Sequence, residues 1–246
     1  MHGLGLNPAD GSLVVATHHG SFRVIPESGD ASLIGDTRQD TMGFTVVGPD
    51  HFLGSGHPDL VGRRAGQPAQ LGLIESIDAG ATWGPIALSG EVDFHGLASV
   101  DGAVYGWDAV TGRFMVSVDR REWQTRSTVD LFGFAVDPDD AERIAAARPS
   151  AMSESVDGGR SWRNTDGPDA VTLSWPTGGD LWAAEPDGSV WRRDGSDWAR
   201  VGQLPGEPQA LLATATDIYG AVIEDDGATG LYASADGGRS WDSITH

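Results

Sequence analysis

The 246-residue chain contains no cysteine and no lysine. The first absence excludes disulfide staples, a thiolate zinc site and a cysteine nucleophile. The second excludes Schiff-base chemistry and a lysine general base. All 16 basic residues are therefore arginine, against 36 carboxylates, and the formal charge is -20. Nucleic acid and anionic membrane surfaces are polyanions, so this balance argues against both as partners. Cations, small polar ligands, neutral glycans and peptides fit it. No apolar run approaches the roughly 20 residues of a membrane span, so no membrane insertion is expected. Nor does a charged and hydrophobic leader precede the strand-like HGLGL that follows Met1. This leaves a cytoplasmic protein or one whose export signal is absent from this sequence.

What is present is glycine and tryptophan, 35 and 9 residues respectively. That richness suits one all-β domain of this length better than two packed ones. The pattern Ser-x-Asp-x-Gly-x-x-Trp occurs three times, as SIDAGATW (Ser76–Trp83), SVDGGRSW (Ser155–Trp162) and SADGGRSW (Ser234–Trp241). Its aspartates, Asp78, Asp157 and Asp236, are spaced by 79 residues twice over. That interval is two blade-sized periods of about 40 residues. Decayed copies lie midway, SVDRREW ending at Trp123 and RRDGSDW ending at Trp198. The five tryptophans are thus 40, 39, 36 and 43 residues apart.

Upstream of each box slot stand two short apolar segments separated by Pro, Asp or Gly, a strand–hairpin–strand signature. Six such pairs predict a single domain over 1–246, an all-β, six-bladed β-propeller of four-stranded antiparallel blades. Seven blades are the alternative. The blades fall at roughly 2–36, 40–88, 92–128, 129–167, 170–204 and 206–246. In the box, Ser and Asp are suited to hydrogen-bond the turn backbone and Gly to supply positive φ. The following Trp is expected to bury its ring between neighbouring blades. Residues 57–72 read as an insertion in blade 2, with Arg63 and Arg64 in a loop.

Chemistry on a propeller is expected where equivalent inner-strand positions converge. Alignment of the first strands puts His2, Met42, His95 and Phe132 in one slot. The ends of the second strands add His18, His19, His57 and Asp108. Asp40 and Asp93 precede Met42 and His95 by two residues, on the same strand face. Imidazoles suit copper, zinc, iron or nickel, and a thioether favours copper. The metal-ligand set is therefore His2, His18, His19, Met42, His57 and His95, with copper or zinc as the ion and Asp93 orienting its ligands. No nucleotide or organic cofactor is indicated, and a monomer is expected.

A hydrolase reading uses paired carboxylates, with Asp93, Asp108 and Asp40 as catalytic candidates. His95 would then carry a proton or bind ligand, and Trp107 would stack on a sugar ring. A third reading, a protein-interaction scaffold, needs no site.

The boxes make the chain resemble the sialidase-type Asp-box (BNR) superfamily. The runs HGLGLNPADGSLVVATHHGSFRV, MGFTV, SGHPD and EVDFHGL resemble a group of actinobacterial proteins labelled glycosyl hydrolases or exo-sialidases by repeat similarity. That likeness spans essentially the whole chain and implies a secreted or cell-envelope protein. The chain departs from the sialidase pattern of three carboxylate-gripping arginines and a Tyr–Glu nucleophile pair. The FRVIP run at Phe22–Pro26 has an additional residue relative to the sialidase motif. By sequence position alone, none of Tyr105, Tyr219 and Tyr232 is expected to have a Glu placed to activate it.

Overall fold

A computed structural model describes residues 1–149 and 151–244, and His246 lies outside the described residues. The fold is all-β, six four-stranded antiparallel sheets of the six-bladed β-propeller class. The first sheet is β1 (Gly3–Leu6), β2 (Leu13–Thr17), β3 (Gly20–Val24) and β4 (Ala31–Leu33). The second is β5 (Asp40–Gly48), β6 (His51–His57), β7 (Leu73–Ser76) and β8 (Gly84–Ala87). The third is β9 (Phe94–Val100), β10 (Ala103–Asp108), β11 (Arg113–Ser117) and β12 (Gln124–Thr128). These three sheets lie in one compact unit, Met1–Val129, where β5 packs against both β1 and β9.

The second unit, Asp130–His246, holds the other three sheets. They are β13 (Gly133–Asp137), β14 (Asp140–Arg148), β15 (Ala151–Ser155) and β16 (Arg163–Thr165); then β17 (Thr172–Ser174), β18 (Trp182–Ala184), β19 (Ser189–Asp194) and β20 (Asp197–Gln203). The last is β21 (Glu207–Ala213), β22 (Ile218–Ile223), β23 (Thr229–Ser234) and β24 (Asp242–Ser243). Within this unit β17 packs against both β13 and β21. Every sheet is built from four consecutive strands.

Sequence character follows position in the sheet. Second strands such as LVVAT of β2 and IYGAVI of β22 are buried almost throughout, so they read as apolar or small runs without alternation. Fourth strands such as QTRST of β12 and RNT of β16 are polar and largely exposed. Phe52, Phe94 and Phe114 are fully buried, each stabilising the fold by roughly 1.5–3 kcal/mol through burial.

The three strict Ser-x-Asp turns share one hydrogen-bond scheme. In the turn after β15, Ser155 Oγ donates to Asp157 Oδ1 at 2.8 Å and accepts from Gly159 N at 2.8 Å. Asp157 in turn accepts from Ser161 N at 2.9 Å and Ser161 Oγ at 2.6 Å. Those bonds hold the Asp157 carboxyl down at about 2, the Ser161 hydroxyl contributing most. Ala79 replaces the first turn glycine after β7 and takes φ of 58°. Of the tryptophans that follow, Trp83 and Trp241 pack across adjacent sheets. Trp83 lies against Val14 and Ala16 of the first sheet and Phe44 and Phe52 of the second. Trp123 stacks at 4.9 Å from the Phe94 ring.

The insertion is not loop throughout. It forms a short helix, α1 (Leu60–Arg64), whose first turn is capped by Asp59 accepting from Gly62 N at 2.7 Å.

Candidate metal centre

The structure sorts the expected histidines into two clusters within residues 1–129, each of two imidazoles and one carboxylate. Both straddle a pair of adjacent sheets. The first joins His2, just ahead of β1, and His18, just past β2, to Asp40 at the start of β5. The second joins His57, the last residue of β6, to Asp93 and His95 at the start of β9.

Two close approaches position these groups. A Cβ on Gly43 would come within 2.5 Å of Phe94 O, so glycine lets β5 and β9 run close beside the second cluster. Gly56 has φ of +136°, and a Cβ there would lie 2.0 Å from Asp40 O. Asp40 and His57 face each other across the β5–β6 ladder, yet they serve different clusters. The second sheet thus gives its carboxylate to one site and its imidazole to the other.

In the second cluster Asp93 is only 4% exposed. Its Oδ2 lies 3.0 Å from His95 Nε2 and 3.3 Å from His57 Nε2. His57 Nδ1 is 2.9 Å from the Ala69 carbonyl oxygen. A carbonyl can only accept, so Nδ1 carries a proton and Nε2 is the atom turned toward the carboxylate. Nε2 either donates a second proton to Asp93 or offers its lone pair to a cation shared with the carboxylate. Trp107 flanks His95, ring centroids 6.4 Å apart, and its Nε1 donates to Val129 O at 2.8 Å.

The first cluster is more open, with the His18 side chain 58% exposed. His18 Nδ1 is 2.9 Å and His2 Nε2 is 3.6 Å from Asp40 Oδ1. The two rings meet edge to face with centroids 4.1 Å apart. Despite these distances, neither Asp40 Oδ1 nor His2 Nε2 has a hydrogen-bond partner of acceptable geometry. Burial, reinforced by the Met1 amino group and His18, pushes His2 down to about 4, so its imidazole is neutral near pH 7.

One regularity unites the clusters. Among the described residues, the buried side-chain atoms able to offer a lone pair yet lacking a partner are His2 Nε2, Asp40 Oδ1 and Asp93 Oδ1. The others so placed are Arg and Trp N–H donors. Buried acceptors are normally satisfied, by protein, water or an ion. By contrast, the His51–Glu75 pair, 2.7 Å apart, already has a cation in Arg120, 3.0 Å from Glu75. Within ion-pair distance Asp40 and Asp93 meet only imidazoles among the described residues, and the Met1 amino group acts on Asp40 from further off.

The remaining candidates lie outside these clusters. His19 is exposed, and its ring contacts that of His18 at 6.5 Å. Met42 is the bulge residue between Thr41 and Gly43 in the β5–β6 register, half-buried. Asp108 is fully buried and anchors the turn after β10. Its Oδ1 accepts from Asp93 N at 3.2 Å, and its Oδ2 meets Arg113 Nη2 at 3.0 Å and the Thr111 hydroxyl. Burial alone would raise its pKa, but these hydrogen bonds outweigh it and hold the carboxyl below the usual range. Asp108 is committed to the turn. The Ala69 carbonyl that fixes the His57 tautomer had no sequence signal, being backbone.

Comparison with known proteins reaches the fold alone. No protein-family model matches the chain, and no curated protein matches it. A GH74 xyloglucanase from Xanthomonas campestris superposes with a TM-score of 0.64 at 16% identity, covering 98% of this chain and 45% of that one. An ancestral GH74 enzyme gives 0.58 at 14% identity, covering 97% of this chain and 37% of its own. The chain therefore spans less than half the length of these enzymes. A chain of the nidogen/laminin complex gives 0.72 at 11% identity, covering 96% of this chain and 93% of that one. The same propeller architecture is thus present in glycoside hydrolases and in an assembly of a different kind.

Proposed function

We propose that the protein binds divalent transition-metal ions, of the zinc or copper class, at the two seams between its first three sheets. His57, Asp93 and His95 would hold one ion, and His2, His18 and Asp40 a second. The observation that carries this reading is the confinement of unpartnered buried lone-pair atoms to these two clusters. Donor separations support it. The imidazole nitrogens stand 2.9 to 3.6 Å from Asp40 Oδ1 and from Asp93 Oδ2, the latter hydrogen-bonded to His95, and a tetrahedral ion with bonds of 2.0–2.1 Å has edges of about 3.4 Å. Two imidazoles and a carboxylate leave further coordination positions for water or a ligand.

Calorimetric titration of chelator-treated protein with zinc and with copper, paired with elemental analysis, tests the reading. Two ions per chain are expected, falling to one in Asp93→Ala and one in Asp40→Ala. No heat with either metal, or unchanged stoichiometry in both variants, overturns it. The alternative, in which each cluster is held by an added proton, predicts no saturable metal uptake.

The propeller likeness to GH74 enzymes favours a second reading, a glycoside hydrolase in the Asp-box group of exported actinobacterial proteins. Asp40 and Asp93 are its remaining carboxylates, Asp108 being committed to its turn. Turnover of an aryl glycoside, abolished in Asp93→Asn, is the result expected of it.

A further inference from the structure

The second unit holds a groove of about 720 Å³ whose chemistry differs from that of the metal clusters. It lies between the fourth and fifth sheets, lined by three arginines, Arg143, Arg163 and Arg193, and two carboxylates, Glu154 and Asp166. Arginines outnumber carboxylates there, whereas the whole chain has 16 arginines against 36 carboxylates.

The three differ in what they are free to do. Arg193 is buried, ion-paired with Glu154, and lies over the rings of Trp175 and Trp198 at 5.0 and 5.9 Å. It forms a floor. Arg143 rests on the other ring contact of Trp175 at 5.1 Å, with Asp137 at 3.6 Å. Arg163 stands directly across the β15–β16 ladder from Glu154, the position from which opposite charges normally pair. Arg193 has taken that carboxylate, and Arg163 has no carboxylate within ion-pair distance among the described residues. An exposed, unneutralised guanidinium therefore borders the groove.

Beside it, Trp198 packs one side on the core and also lines the groove. Asn164 accepts the Ser153 hydroxyl on its carbonyl oxygen at 3.0 Å, which leaves its two N–H donors uncommitted. A guanidinium fork suits a carboxylate, an indole face suits the apolar C–H face of a sugar ring, and an amide donor suits a hydroxyl. The volume lies within the usual range for small-molecule sites, roughly 300–1,000 Å³.

We propose that this groove binds an acidic saccharide, its carboxylate on Arg163 and its ring against Trp198. This site is independent of the metal reading, since all its residues lie within 130–246. The test is titration of chelator-treated protein with a galacturonic acid disaccharide, a neutral disaccharide of the same linkage, and sulfate, followed by ligand-observed NMR and calorimetry. The acidic disaccharide is expected to bind at least 10-fold more tightly than either control. Arg163→Ala should weaken it at least 10-fold, Arg163→Lys less, and Arg121→Ala, at an exposed arginine of the first unit, not at all. Melting curves of the Arg163 variants should match the parent, since the side chain is exposed and unpaired. The proposal is overturned if the neutral sugar or sulfate binds equally well, if Arg163→Ala leaves affinity unchanged, or if the acidic sugar shows no binding at millimolar concentration.

Discussion

The two histidine–carboxylate clusters have the same donors and the same placement across a seam, yet they are built to different standards. Around His57, Asp93 and His95, the carboxylate is almost wholly buried, one imidazole is locked by a backbone carbonyl, and another is flanked by Trp107. Around His2, His18 and Asp40, one imidazole is mostly in solvent, and no hydrogen bond of acceptable geometry joins His2 or His18 to Asp40 Oδ1. Fixing a ligand beforehand removes an ordering cost from binding, and outer partners commonly change metal affinity 10–100-fold. The buried cluster should be the tighter site and the open one the weaker and faster.

The largest effect should come from breaking what the clusters share. Gly56→Ala places a Cβ against Asp40 O at a φ that side chains avoid. It should cost about 3 kcal/mol or more and disturb both sites together, as measured by denaturant unfolding and metal stoichiometry. Asp93→Ala should separate the sites, weakening the tighter binding step on the order of 100-fold while leaving the other in place. A single calorimetric isotherm unchanged by Asp93→Ala would contradict the assignment.

Acid provides a cut in the other direction. His2 titrates at about 4 in the folded protein, below its ordinary 6.5. Between those values the unfolded chain binds the proton and the folded one does not, so metal-free stability should fall as pH drops from 6.5 to 4. The loss is on the order of 2–3 kcal/mol. His2→Gln should flatten that slope, and His57→Gln should not reproduce the effect. Last, His18→Ala should weaken the open site about 10-fold or less, because a ligand so exposed is poorly ordered before binding. A loss as large as that of Asp93→Ala would show the two sites to be equally organised.

Much of this architecture was legible from residue order. Tryptophans at near-40 spacing marked the sheets, and the slot holding His2, Met42 and His95 followed from that phase. Asp40 and Asp93 were found by strand alternation. What could not be read was partnership. Asp40 and His57 are neighbours in the ladder, and only tertiary packing sends one to each side. Met42 occupies the same slot as two histidines, but falls in a bulge that breaks the alternation on which the slot rests. Asp108 aligned with His18 because both end second strands; its actual neighbours, Thr111 and Arg113, make it a turn anchor. The arginine groove has no period at all, since Arg143, Arg163 and Arg193 come from strands of two sheets.

Each sheet is made of four consecutive strands and none lends a strand to another. A sheet is therefore also a contiguous stretch of gene, and an in-frame copy of about 40 codons would carry a whole one. The histidine–carboxylate clusters are not contained in such a stretch, because each draws its side chains from two neighbours. Heredity by duplication would multiply sheets intact but would remake sites at every new junction, whichever residues happened to meet there.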